Sequence, residues 1–149
     1  MKRIIFISLC MVLTACVNSS KISTSSPYNS YSKFLSALKF QDQNSALNLL
    51  SNTNQVSFNQ RETNENFFLF FPFFSSVDTV VPYELDHFSI SRGSIACLTV
   101  VGSDASGEPT SLSFELFKES DDWKLNFVEL EYYESKSELP KEAMCPKKV

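Results

Sequence analysis

From Pro82 onward, apolar side chains recur at every second position, and this alternation constrains the fold more than any other feature of the chain. A period of two marks strands with one buried face, because successive side chains point to opposite sides of a pleated sheet. Four such runs follow one another: Tyr83 to Ile90, Ser94 to Val101, Thr110 to Lys118 and Trp123 to Tyr133, all rich in β-branched and aromatic residues. Ser91-Arg92-Gly93 reads as the first turn, Gly102 to Pro109 as a longer loop and Glu119 to Asp122 as a third. The chain's three glycines, Gly93, Gly102 and Gly107, all fall in these breaks. Glycine tolerates the positive φ of tight hairpins, so the pattern predicts consecutive antiparallel hairpins, that is, a meander.

The alternation also names the inner face. Leu112, Phe114 and Leu116 share one side of the third run, and Trp123, Leu125 and Phe127 share one side of the fourth. After Phe127 the apolar set slips by one position to Val128, Leu130 and Tyr132, which calls for a β-bulge or a strong bend.

Before Pro82 the period is different. Ser26-Pro27 reads as a helix start, with proline at the first helical position. Tyr28, Tyr31, Phe34, Leu35 and Leu38 then recur at spacings of three and four, the stripe of an amphipathic helix reaching Phe40. Asp42-Gln43-Asn44-Ser45 interrupts it and offers capping side chains. Ala46, Leu47, Leu49 and Leu50 mark a second, shorter helix that ends near Ser51-Asn52, whereas residues 52–66 are polar and declare no form. The fold class expected is α+β: N-terminal helices packed on a curved, cone-like, antiparallel four-stranded meander over residues 28–135.

At this point the chain resembles the nuclear-transport-factor-two-like superfamily of cystatin-like folds. The resemblance rests on the helical YSKFLSALKFQDQNSALNLL and the hairpin SLSFELFKESDDWKLNFVEL, a pair of helices ahead of a sheet with a tryptophan-containing strand. It implies a cone whose interior is either filled or open to a ligand, and it specifies no activity.

The first sixteen residues, MKRIIFISLCMVLTAC, carry an address. Lys2 and Arg3 precede an apolar run from Ile4 to Val12, long enough for a signal peptide and too short to span a bilayer. Leu13-Thr14-Ala15-Cys16 resembles the bacterial lipobox. That resemblance implies removal of residues 1–15, diacylglycerol on the Cys16 sulfur and membrane attachment through that lipid. Val17, where an inner-membrane lipoprotein would carry aspartate, implies the periplasmic face of the outer membrane if the host is Gram-negative. Each buried methylene contributes ~0.8 kcal/mol, so several acyl chains anchor firmly. Residues 17–26, VNSSKISTSS, then read as a flexible tether spanning roughly 17 Å, which with Cys16 and Pro27 makes residues 16–27 a linker.

Loss of Lys2 and Arg3 takes the formal charge from −4 to −6, and no basic stripe is visible, so nucleic acid is not an expected partner. Of the four cysteines, Cys10 leaves with the signal and Cys16 takes lipid. Cys97 and Cys145 remain, and in an oxidising compartment they are expected to pair and tie down a C-terminal tail of residues 136–149. The alternatives are a buried Cys97 beside a loose Cys145, or a zinc site for which only His87 offers a further nitrogen ligand.

FFLFFPFF, residues 67–74, concentrates six of the fourteen phenylalanines into eight positions. Pro72 discourages both a regular helix and a central strand there. Burial of one such ring contributes ~1.5–3 kcal/mol, which makes the segment first of all core. Phe67, Phe68, Phe70, Phe71, Phe73 and Phe74 are also the candidates for an apolar pocket wall or a docking surface for a protein or apolar ligand.

Chemistry is thinly represented. His87 is the only histidine. On a regular strand its neighbour Asp86 points the other way, while Ser89 shares its face but lacks an activating partner in the pattern. An isomerase of the resembled superfamily would need an acid–base Asp and a tyrosine inside the cone. Asp78, Asp86, Tyr31 and Tyr83 are of the right types, and no spacing selects among them. No phosphate loop or metal-ligand cluster appears, so no cofactor, metal or catalytic residue is assigned. Glu129, Glu131, Glu134 and Glu138 form an acidic run that a basic partner could use, as an immunity-type toxin inhibitor would. The expectation is a non-catalytic binding or accessory lipoprotein. An isomerase- or hydrolase-type enzyme using the cone is the alternative.

Overall fold

The structure, a computed structural model, describes residues 25–60, 67 and 81–147. Helices α1 (Pro27–Lys39), α2 (Gln43–Leu49) and α3 (Asn52–Asn59) precede strands β1 (Tyr83–Arg92), β2 (Ile95–Ser103), β3 (Pro109–Glu119) and β4 (Asp122–Tyr132). The strands lie in the order β1-β2-β3-β4 with every neighbour antiparallel, which is the expected α+β meander.

Each helix begins at a side-chain cap. Ser26 accepts the Asn29 N–H at 3.0 Å, with Pro27 at the first position of α1. Gln41, at φ 55°, ends α1: its N–H donates to the Leu38 carbonyl and the Asp42 N–H donates to the Ala37 carbonyl, a Schellman closure. The Asp42 carboxylate then caps α2, accepting the Ser45 hydroxyl at 2.6 Å and its N–H at 3.0 Å. Those bonds hold the Asp42 carboxyl below its ordinary range.

Helix α3 occupies part of the stretch whose sequence declares no form. It buries no residue of its own, so an apolar stripe could not announce it. Its N-terminus is held by the sheet instead. Ser51 caps it and donates its own N–H to the Leu125 carbonyl at 2.8 Å, while the Asn52 N–H reaches the Glu119 carboxylate at 3.1 Å. A parallel bridge between Leu50 and Leu125 covers the outer edge of β4 at that point.

One face of the sheet carries the core. Ala96, Leu98, Val100, Leu112, Phe114, Leu116, Trp123 and Leu125 pack against Tyr31, Phe34, Ala37 and Leu38 of α1, with Ala46, Leu50 and Phe67 completing the cluster. The expected phase change is present, one residue earlier than the pattern suggests. Glu115 pairs with Phe127 and Leu116 with Leu125, so Asn126 is the bulged residue. Phe127 therefore faces outward and is 43% exposed, and the inward set passes from Leu125 straight to Val128. Tyr132, expected inside, is also exposed.

The glycines divide by cause. Gly93 (φ 62°) and Gly107 (φ 90°) serve turns as expected, but Gly102 lies within β2. A Cβ there would collide with the Tyr83 carbonyl oxygen and Val81 Cγ1, so close approach, not positive φ, requires glycine. The β3–β4 hairpin uses no glycine: Ser120 (φ 49°) and Asp121 (φ 72°) adopt the positive φ of a type I′ turn themselves.

The opposite face of the sheet is crossed by the C-terminal segment. After a 3-10 turn at Lys136–Glu138, Leu139 is buried and a Cys97–Cys145 disulfide joins the segment to β2 across 48 residues of sequence. The tail is thus tied down by a disulfide, as the cysteine count predicts.

Candidate functional site

β1 is an edge strand, and its register explains the most chemically distinctive cluster among the described residues. Glu84 pairs with Gly102 and Asp86 with Val101, which leaves Leu85 as an extra, bulged residue. Three residues apart on a regular strand, Glu84 and His87 would point to opposite faces. The bulge restores them to one side, the side that carries α1.

There the Glu84 carboxylate bridges two rings. Its Oε1 lies 3.0 Å from His87 Nδ1, and its Oε2 accepts the Tyr28 hydroxyl at 3.0 Å. The Tyr28 ring stacks on the imidazole with centroids 3.5 Å apart and planes 6° from parallel. Burial raises the Tyr28 hydroxyl above its ordinary value, and the bond to Glu84 adds to the effect. Tyr31, one turn along α1, is buried against Phe114 at 5.1 Å. Burial first, then the Glu84 charge, pushes its hydroxyl well above the usual tyrosine range. Both phenols therefore stay neutral at physiological pH. They can donate a proton in a hydrogen bond and do not act as bases.

Of the residues nominated from sequence, the structure brings Tyr31 into this group and leaves the others out. Asp86 lies on the opposite face and accepts the backbone N–H of His87 at 2.8 Å. Tyr83 is exposed. Asp78 lies outside the described residues, as does Cys16. Glu84 and Tyr28, which make the cluster, were not candidates. Only an anticipated bulge at Leu85 would have paired Glu84 with His87, and Leu85 carries no glycine or proline to mark one.

The cluster is surface chemistry rather than a pocket. The His87 and Glu84 side chains remain 40% and 28% exposed, and Glu84 spends both oxygens on its two neighbours. A cavity of about 220 Å³ opens instead between α3 and β4, lined by Leu50, Asn54, Phe114, Leu125, Asn126, Phe127 and Val128. A wider groove of about 430 Å³ lies between α1 and α2, bounded by Lys33, Phe40, Asp42 and Leu49 among others. Neither is lined by His87, Glu84, Tyr28 or Tyr31. Ligand pockets typically run from about 300 Å³ upward and enclose their occupant, so the smaller, apolar one falls short in volume.

Phe67 is 1% exposed and meets Phe58 edge-on at 6.0 Å, a core residue. Phe68, Phe70, Phe71, Phe73 and Phe74 lie outside the described residues. Among the described residues no group of three or more His, Cys, Asp or Glu side chains could hold a metal, and no helix is long and apolar enough to cross a membrane. The acidic run is partly engaged within the chain: Glu129 accepts the Lys147 N–H at 2.9 Å, and Glu131 pairs with Lys147 Nζ at 3.1 Å.

Compared with known protein families, curated proteins and solved structures, the chain matches none.

Proposed function

We propose that this protein is a lipid-tethered module of the bacterial envelope, facing the periplasm, which binds a partner or ligand near the membrane without catalysing a reaction. The observation that carries the non-catalytic reading is the filled interior: Phe34, Leu98, Leu112, Phe114 and Leu116 close the space between α1 and the sheet where a cone-type enzyme would hold its substrate. The Cys97–Cys145 disulfide supports export to an oxidising compartment, in line with the LTAC tetrad at Cys16. The order of helices and meander is consistent with the cystatin-like resemblance.

Two measurements test the reading. Labelled palmitate should enter the wild-type chain and fail to enter Cys16→Ser; equal labelling, or none in either, removes the tether. In-membrane crosslinking should recover one stoichiometric partner. Turnover of a carbonyl or ester substrate that disappears in His87→Ala would replace the binding role with an enzymatic one. The Glu84–His87–Tyr28 group is the observation that keeps the enzyme alternative in view, since a carboxylate on Nδ1 orients an imidazole as a base.

A further inference from the structure

The two cysteines of the disulfide sit in different surroundings. Cys97 is 3% exposed in the middle of β2, while Cys145 on the C-terminal segment is exposed to solvent. Around them the sheet is built unlike its helix-facing side. Thr99, Ser111, Ser113 and Glu115 line the face beneath residues 133–147, all buried and all polar.

The cover satisfies Thr99 and Ser111 with its own backbone and side chains, while Ser113 bonds Thr99 and Glu115 accepts from Asn126 within the sheet. Thr99 Oγ1 accepts the Met144 N–H at 2.7 Å and donates to the Met144 carbonyl at 3.2 Å, and Ser111 meets the Tyr133 hydroxyl at 3.1 Å. Water can replace every one of these bonds. Lifting the segment would wet hydroxyls, a carboxyl group and two apolar side chains outside the core cluster, Val101 and Leu139, whereas lifting α1 would expose Phe34, Phe114 and Leu98. The segment is therefore a cover that the domain can lose without losing its core. Next to the disulfide, Ile90, paired with Cys97 across β1 and β2, and Ile95 present exposed apolar surface on the same face.

We propose that Cys145 is a thiol-exchange site, attacked by an envelope dithiol protein of the Cys-x-x-Cys type, and that exchange releases the C-terminal cover from the sheet. A thiolate of the partner attacks the sulfur of Cys145, the exposed residue of the pair, in line with the S–S bond. A mixed disulfide forms at Cys145, and Cys97 leaves as a thiolate that takes a proton from water. The partner's second thiolate then attacks the partner's first sulfur in the mixed disulfide, and Cys145 leaves as a thiolate that takes a proton from water, so the partner is oxidised by two electrons and the Cys97–Cys145 pair is reduced. Ile90 and Ile95 supply the apolar footing on which the partner rests. The proposal rests on export to the envelope but not on the lipid itself, and the exchange test on the isolated chain fails or succeeds independently of palmitate labelling.

The test uses the oxidised full chain and a reduced thioredoxin-type protein whose second cysteine is replaced by serine, so that the mixed disulfide accumulates. Peptide mapping should place that bond on Cys145, with Cys97 as a free thiol. A bond on Cys97, or no complex from the folded chain while the urea-unfolded chain reacts, overturns the site. Hydrogen exchange on the chain reduced with dithiothreitol tests the release. The Met144 and Lys147 amides should exchange like those of an unstructured peptide while β2 and β3 stay protected. Continued protection of those two amides, or loss of β2 and β3 with them, overturns the detachable cover.

Discussion

Phe34 and Phe40 lie six residues apart on the same helical segment and differ as much as two phenylalanines can. Phe34 is 0% exposed between α1 and the sheet, and Phe40, at the C-cap, is 76% exposed. Truncation of Phe34 to alanine removes a ring from the core cluster it shares with Tyr31 of α1 and with Leu98 and Phe114, whose strands are paired on both sides and cannot collapse fully into the gap. Transfer and cavity costs together place Phe34→Ala at about 3–5 kcal/mol, against no more than about 0.5 kcal/mol for Phe40→Ala. A domain of this size loses roughly 4 °C in Tm per kcal/mol, so the first variant should melt roughly 12–20 °C below wild type and the second should be nearly unchanged. Urea denaturation followed by circular dichroism gives both values, with equal slopes if unfolding remains two-state. The Phe34→Ala cavity should also take up benzene, which would recover part of the loss. If Phe34→Ala costs less than about 1 kcal/mol, or the two variants cost the same, the interior is not filled and the non-catalytic reading loses its support.

Other substitutions probe the joints of the fold. Gln41→Gly should stabilise by about 1 kcal/mol, because glycine adopts the positive φ at the end of α1 without strain; a destabilised variant would contradict the Schellman closure. Gly102→Ala should cost about 1–3 kcal/mol and disturb the start of β1, visible as shifted amide resonances at Tyr83 and Glu84. Ser51→Ala should cost about 1–2 kcal/mol by urea denaturation, since it removes the α3 cap and the 2.8 Å bond to the Asn126 side chain at the bulge. The Glu131 carboxyl is held below its ordinary 4.5 by the Tyr133 hydroxyl first and Lys147 second. Its contribution is therefore complete above the unfolded value and fades as pH falls through the lowered folded one. Tyr133→Phe should move the Glu131 titration upward by carbon-detected NMR; an unmoved titration would deny the hydroxyl its role.

What the sequence determined by itself was everything that depends on period. The stripe Tyr31, Phe34, Leu38 specifies α1, and the alternation from Tyr83 to Tyr132 specifies four strands in meander order, because a helix and a pleated strand each present side chains at one fixed spacing. Cys97 and Cys145, the two cysteines expected to pair, predicted the bond that ties the tail. Tertiary structure decided the rest. Helix α3 exists because Leu125, Glu119 and Asn126 satisfy its first turn, and none of those groups is near it in sequence. Asn126, not Phe127, absorbs the phase change, since the pairing of β3 with β4 sets where the extra residue fits. The Glu84–His87–Tyr28 cluster was illegible for the same reason. It needs a bulge that shows only in the register of β1 against β2 and a helix delivered to that edge by the packing of the stripe to which Tyr28 belongs. Local spacing fixes which way a side chain points along a regular element. Bulges reset that direction, and only the neighbouring strand determines where they fall.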